Sequence, residues 1–178
     1  MNKPVGIVSM RGASVGLGIA LMLLMAQPVL AQDALPAPRG PVILTISGNI
    51  AVSNRDGAAD FDREMLVALG MTSVETTTAW TDGPQKFQGV LARAVLQRVG
   101  ARGTTVIATA LNDFVAPIPM EELQRYDVIL AMVMNGAEMQ VSDKGPLWVV
   151  YPRNDHPELL DPKLNDRWVW QLRSLAVE

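Results

Sequence analysis

The chain has 178 residues and a formal net charge of −3, with one histidine and no cysteine. The absence of cysteine excludes disulfide bonds and thiolate metal sites, and a single histidine argues against a histidine-rich metal site or a serine–histidine triad. Acidic and basic residues are interspersed without a basic stripe, which argues against nucleic acid as a partner.

The N-terminus has the pattern of a secretory signal peptide. Lys3 and Arg11 precede an apolar run at 13–25, and a small-residue motif ends at Ala31. A positive start, a short apolar run and small residues before the cleavage site define such a peptide. The run is shorter than the about 20 residues of a membrane span, so we expect export and cleavage of 1–31 rather than an N-terminal anchor.

Beyond the signal peptide, strands alternate with short helices. A proline-rich leader at 32–41 precedes the domain, which we place at 42–178. Strands are predicted at 42–48, 74–80, 104–111, 128–136, 146–152 and 167–178. Helices are predicted at 60–70, 87–101 and, for a turn or two, 118–127. Strands dominate and no βαβ rhythm occurs, so we expect one compact α+β domain.

Two tryptophans near the C-terminus, Trp168 and Trp170, are separated by a single residue. On a strand, both indoles point to the same face. They form either a large core contact or a flat wall on which a ligand stacks. The polar, proline-broken loop that precedes Trp168 favours the rim of a cleft.

Four polar residues near predicted strands are candidate ligand contacts. Thr76 and Thr78 share a face if 74–80 is a strand, and their hydroxyls can line a polar pocket, although β-propensity alone also explains them. Asn112 and Asp113 end a buried strand. A carboxylate there can accept two N–H groups from a heterocycle, and a simple turn is the alternative.

The segment after the predicted strand at 146–152 carries further polar groups. Tyr151, Arg153 and Asp155 supply a phenol, a guanidinium and a carboxylate, whereas His156 is expected to be a solvated loop residue. No phosphate-binding glycine motif is present, and no spacing selects a pair of carboxylates for acid–base work. We therefore predict no catalytic residue.

The order of these segments resembles the molybdopterin-binding domain of the sulfite oxidase family. The segments are "TTTAWTDGPQKFQGVLARAVL", "LNDFVAPIPMEEL", "DVILAMVMNGAEM", "DKGPLWVVYP" and "WVWQLRSLAV". The resemblance implies that family's fold for almost the whole mature chain. In the family a cysteine thiolate binds molybdenum, and in its bacterial members this cysteine lies four residues before a tryptophan. The matching position before Trp80 is Thr76. A neutral hydroxyl does not replace a thiolate, so we expect no molybdenum.

A narrower resemblance is to small periplasmic pterin-binding proteins of this fold, the PruR-like proteins. It rests on "FDREML", "WTDG", "DKGPLW" and "WVWQL". It implies a reduced pterin bound without molybdenum, and signalling through the periplasmic part of a membrane enzyme that makes or degrades cyclic di-GMP. The alternative is a molybdopterin-dependent oxidoreductase or a subunit of one.

This resemblance also implies a ligand site. Trp168 and Trp170 are expected to contact the pterin, and Asp113, helped by Asn112, to bind its amino-pyrimidine edge, with Asp155 as the rival. The full set of expected ligand-binding residues is Trp80, Thr76, Thr78, Asn112, Asp113, Tyr151, Arg153, Trp168 and Trp170.

Overall fold

The structure, a computed structural model, describes residues 1–2 and 34–178. The predicted signal peptide therefore lies outside the described residues, apart from its first two. The chain divides into two compact units, Met1–Ala31 and Gln32–Glu178. In the part that the structure describes, no helix has both the length and the apolar character needed to cross a membrane.

Short strands and shorter helices make up the second unit. Between 34 and 178 the strands are β1 (Val42–Gly48), β2 (Ala58–Asp62), β3 (Met71–Thr76), β4 (Gln85–Leu91), β5 (Thr105–Ala110), β6 (Val115–Pro119), β7 (Ile129–Met134), β8 (Ala137–Glu138), β9 (Trp148–Val150) and β10 (Leu172–Val177). The helices are α1 (Arg63–Val67), α2 (Ala92–Arg98) and α3 (Met120–Arg125), with 3₁₀ helices at Pro157–Leu160 and Pro162–Arg167. The predicted α+β class is confirmed.

The strands form two sheets around one core. The first sheet has the order β2-β1-β10-β5-β6 and is antiparallel except for the parallel pair of β1 with β10. The second has the order β3-β4-β7-β8, and β9 also pairs with β7. Buried side chains from both sheets belong to a single hydrophobic cluster. The two sheets therefore stabilise each other by sharing that core.

Local sequence signals explain several of these elements. Asp62 ends β2, and its side chain accepts the N–H of Met65 at 2.8 Å, which caps the start of α1. Asn135 and Gly136 take positive φ angles of 53° and 82° between β7 and β8. This is the backbone of a tight hairpin turn, as the Asn-Gly pair predicts.

The described part of the proline-rich leader packs on the domain. Leu35 belongs to the buried core cluster. The N–H groups of Arg39 and Gly40 both donate to Oδ2 of Asp62, at 2.7 and 2.9 Å. One carboxylate therefore fixes the leader and caps a helix.

The predicted helix at 87–101 is wrong in its first part, which is strand β4. Gly89 allows this strand to lie close to β7, because a Cβ at this position would be 2.1 Å from the carbonyl oxygen of Leu130. The helix begins only at Ala92. Strands β2 and β6, which are short edge strands, were not predicted from the sequence.

The predicted strand at 74–80 ends early, at Thr76. The N–H and the hydroxyl of Thr77 both donate to Oδ1 of Asn154, at 3.2 and 2.8 Å, so the backbone leaves the sheet. The expectation that Thr76 and Thr78 share the face of one strand is therefore wrong.

The predicted strand at 167–178 begins late, at Leu172. Gln171 has a φ of 50°, which interrupts an extended backbone. Trp168 and Trp170 thus precede the strand, and the alternation of side chains on a strand does not explain where their indoles lie.

Candidate functional site

All four tryptophans of the chain meet in one cluster. The ring centroid of Trp80 lies 6.2 Å from Trp148, 6.2 Å from Trp168 and 5.1 Å from Trp170. Most pairs are edge-to-face, the arrangement that aromatic quadrupoles favour. Three separate segments contribute: the loop after β3, strand β9 and the residues before β10.

The cluster runs from the core to the surface. Trp148 is 0% exposed and Trp168 is 2% exposed, whereas Trp80 is 37% exposed and Trp170 is intermediate. The indole N–H of Trp148 donates to the backbone oxygen of Trp168 at 3.1 Å, which satisfies the buried donor. The inner indoles support the fold, and the outer two are accessible to a ligand.

A pocket of about 230 Å³ opens beside this cluster. Its lining combines aromatic, small apolar and polar residues: Trp80, Ala110, Asn112, Phe114, Asn165, Asp166, Trp168, Val169 and Trp170. Ligand pockets for drug-sized molecules are typically about 300–1,000 Å³. This pocket therefore suits one small ring system.

Four of the predicted ligand-binding residues line the pocket: Trp80, Asn112, Trp168 and Trp170. Asn112 follows β5, and its Oδ1 accepts the N–H of Phe114 at 3.1 Å. This turn presents Phe114 to the pocket. Asn112 therefore lies both in a turn and in the pocket lining, and its contact with a ligand stays a prediction.

The two threonines are buried and are not among the residues that line the pocket. Thr78 is buried; its hydroxyl accepts the N–H of Trp80 at 3.0 Å and is 2.8 Å from the hydroxyl of Thr81. This bond holds the backbone at Trp80. Thr76 is fully buried, and its hydroxyl donates to the backbone oxygen of Thr77 at 3.4 Å.

Tyr151 packs against Trp168, one of the two buried tryptophans of the cluster. It is buried, and its ring centroid is 5.8 Å from that of Trp168. Its hydroxyl donates to Oε2 of Glu122 at 3.2 Å, and Arg167 forms an ion pair with Oε1 of the same carboxylate. Burial, followed by the charge of Glu122, raises the pKa of Tyr151 well above its usual value.

Two more predicted residues lie outside the pocket lining. Asp113 is on the exposed turn between β5 and β6, its side chain is 79% exposed, and it forms a 2.7 Å ion pair with Arg173. Arg153 has a buried Nε without a hydrogen-bond partner in the described residues. Neither is among the residues that line the tryptophan pocket.

Phe114, Asn165 and Asp166 also line the pocket, although they were not predicted from the sequence. Asn165 and Asp166 lie near the end of the 3₁₀ helix Pro162–Arg167, which leads into Trp168. The signal that could have identified them is that adjacency. A polar segment that runs directly into a pocket tryptophan places its last side chains at the rim.

The residues do not fit a molybdenum ion. The described residues contain no group of three or more His, Cys, Asp or Glu side chains that could hold a metal. Thr76, where the family resemblance places the thiolate, is a buried neutral alcohol that already donates a hydrogen bond. Molybdenum favours a deprotonated sulfur, and the chain has none. The aromatic pocket, in contrast, fits a flat ring.

Comparison with known families places most of the folded domain in one of them. A model of the oxidoreductase molybdopterin-binding domain matches residues 59–154. The matched range includes Trp80, Asn112 and Phe114 and ends before the segment with Asn165 to Trp170. No curated protein matches the chain.

Proposed function

Because the chain belongs to the oxidoreductase molybdopterin-binding domain family, we propose that it binds a reduced pterin, without molybdenum, in its tryptophan pocket. The family itself binds molybdopterin, so a pterin-type ligand is consistent with the fold. The observation that carries the proposal is the accessible pair of indoles, Trp80 and Trp170, on a chain without any thiolate.

Stacking supplies the main binding energy in this proposal. Placing a nucleobase on an aromatic side chain is worth about 1–3 kcal/mol, and the planar pyrimidine ring of a reduced pterin presents a similar face. A micromolar complex needs about −8 kcal/mol. The ring planes of Trp80 and Trp170 are 81° apart, so a flat ring can stack on one indole and contact the other at its edge. Binding therefore needs additional hydrogen bonds, which the polar rim residues Asn112, Asn165 and Asp166 can provide.

We extend the proposal to signalling from the periplasm. The resemblance to small periplasmic pterin-binding proteins supports a partner in the periplasmic part of a membrane cyclic di-GMP enzyme. Exposed apolar side chains beside the pocket, Leu111, Phe114 and Val115, also favour a protein partner. Export rests on the signal-peptide pattern of 1–31, which the mass of the mature protein tests: it should begin near Gln32.

The second candidate function is a molybdopterin-dependent oxidoreductase or a subunit of one. The family match favours it. The buried hydroxyl of Thr76 argues against it, because it offers no thiolate to a metal.

Mass spectrometry of what co-purifies from the periplasm, together with metal analysis of the same sample, separates the two functions. We expect a reduced pterin in near-stoichiometric amount and no molybdenum. Stoichiometric molybdenum would overturn the proposal in favour of the oxidoreductase. A preparation that carries no pterin and binds none when reduced pterins are added would contradict both.

A further inference from the structure

The rim of the tryptophan pocket contains one carboxylate, that of Asp166. Its side chain is exposed and forms no hydrogen bond or ion pair with another residue in the described part of the chain. Its neighbour Arg167 is engaged elsewhere, with Glu122. A carboxylate beside an aromatic wall, with no partner in the protein, is available to a ligand.

Asn165 adds a second polar group beside it. The backbone oxygen of Asn165 accepts the N–H of Trp168 at 3.0 Å, whereas its side-chain amide has no partner in the described residues. This hydrogen bond holds the backbone of Asn165 at the rim, and the side chain of Asn165 remains available to a ligand. The pocket thus combines an aromatic surface with adjacent acceptor groups along one edge.

We infer that Asp166, assisted by Asn165, binds the edge of the ligand ring that carries two adjacent N–H donors. This inference rests on the proposed function. The 2-amino-4-oxopyrimidine edge of a pterin presents an amino group next to a ring N–H, and an ionised carboxylate accepts both in a bidentate pair. Asp113 was the candidate from sequence, but it is paired with Arg173 and lies outside the pocket lining.

This assignment makes the pocket selective for the amino group. Lumazine, the 2,4-dioxo analogue, has a carbonyl in place of that amino group. In lumazine, two hydrogen-bond acceptors, the carbonyl and the carboxylate, would therefore face each other. Guanosine carries the same amino-oxo edge as a pterin on a different bicyclic ring. Pterin and guanosine are therefore the two sources of this edge, and lumazine is the matched ligand that lacks it.

The experiment is anaerobic calorimetric titration of the full mature protein and its variants with reduced pterin, equally reduced lumazine and guanosine; pterin and lumazine are used in these reduced forms throughout. The variants are Asp166→Asn, the rival Asp113→Asn, and Asp56→Asn, which removes the same charge on an exposed turn before β2. Wild type should bind pterin at least about tenfold more tightly than lumazine, as expected for one bidentate contact. Asp166→Asn should weaken pterin binding roughly tenfold to a hundredfold and leave lumazine binding nearly unchanged. The Asp56→Asn variant should keep the wild-type preference.

The outcomes separate this inference from the proposed function. An Asp166→Asn variant that keeps the wild-type preference for pterin over lumazine would overturn the inference alone, as would a loss of preference only in Asp113→Asn. Guanosine bound more tightly than pterin, with the preference lost in Asp166→Asn, would support the edge contact and overturn the pterin assignment. Wild type that binds none of the three ligands would overturn both the inference and the proposed function.

Discussion

Trp80 and Trp170 lie with their ring centroids 5.1 Å apart and their ring planes at 81°, although one follows β3 and the other precedes β10. Each is partly accessible, and behind them lie the buried rings of Trp148 and Trp168. The accessible pair is therefore backed by an aromatic core that limits its movement. Such preorganisation reduces the entropy that a ligand loses on binding.

The outer and inner tryptophans should respond differently to truncation. Trp170→Ala should abolish most pterin binding with a small change in the free energy of unfolding, because its ring is only partly buried. Trp148→Ala should cost about 3–5 kcal/mol of stability, since its indole is fully buried. Denaturant unfolding and ligand titration on both variants test this.

A Trp170→Phe variant provides the control, because it retains an aromatic face and should retain part of the binding. A Trp170→Ala variant that binds as tightly as wild type would show that the ring is not a ligand wall. Trp168 belongs with the inner pair: it is 2% exposed, so Trp168→Ala should lose stability and binding together.

Local signals made part of the fold predictable. Strand β5 and the Asn135–Gly136 turn depend on neighbouring residues, and both were predicted, although β5 was expected to be buried on both faces and instead alternates in burial. Strand β4 was not, because Gly89 in a helix-like pattern gives no local indication that a second strand approaches closely. Its conformation is decided by pairing with β7, far along the chain.

The candidate site, like the fold, was predictable from the sequence only in part. The short spacing of Trp168 and Trp170 indicated aromatic rings at a cleft, but their meeting with Trp80 and Trp148 depends on the three-dimensional packing of three segments. Asn165 and Asp166 are ordinary loop residues in sequence. Only the folded chain shows that their segment borders the pocket.

Gly89→Ala should destabilise the second sheet strongly. The added methyl group would lie 2.1 Å from the carbonyl oxygen of Leu130 and 2.6 Å from Cα of Ala131, and both are backbone atoms of a paired strand. Overpacking of this kind costs about 1–3 kcal/mol or more. Gly40→Ala is the matched control, because its Cβ would meet only ordinary contacts, at 3.7 Å. Equal melting temperatures for the two variants would contradict this packing argument.

Asp62 should make stability depend on acid pH. The N–H of Met65, followed by that of Gly40, lowers the pKa of this carboxyl below its usual value. The resulting stabilisation is present above the unfolded-state pKa of about 3.9 and is lost as pH falls through the lower, folded-state pKa. Asp62→Asn should therefore be less stable than wild type at neutral pH, and the difference should shrink as the solution is acidified.

Urea unfolding between neutral and acid pH measures this effect. At neutral pH, Asp62→Ala should lose about 0.5–2 kcal/mol through the helix cap alone. Asp56→Asn, which removes a charge from an exposed turn, should keep the wild-type dependence on pH. The assignment would be wrong if Asp62→Asn showed the same fall in stability with acid as wild type.

Glu122 should position Trp168, which lines the pocket, without contacting the ligand itself. Its carboxylate accepts a hydrogen bond from the hydroxyl of Tyr151 and forms an ion pair with Arg167. The ring of Tyr151 packs against that of Trp168, and Arg167 directly precedes Trp168 in the sequence. Glu122→Ala should leave the buried hydroxyl of Tyr151 without an acceptor, at a cost of about 1–3 kcal/mol. It should also weaken pterin binding, because Trp168 loses its support.

The comparison with Glu122→Gln and Glu121→Gln distinguishes positioning from a general loss of charge. Glu122→Gln retains an acceptor oxygen of the same shape and should recover most of the binding lost in Glu122→Ala. Glu121→Gln makes the same change on the exposed side of α3 and should behave as wild type. Titration with pterin at a temperature where all variants are folded is the decisive measurement. Wild-type affinity in folded Glu122→Ala would show that the carboxylate stabilises the domain but does not position Trp168.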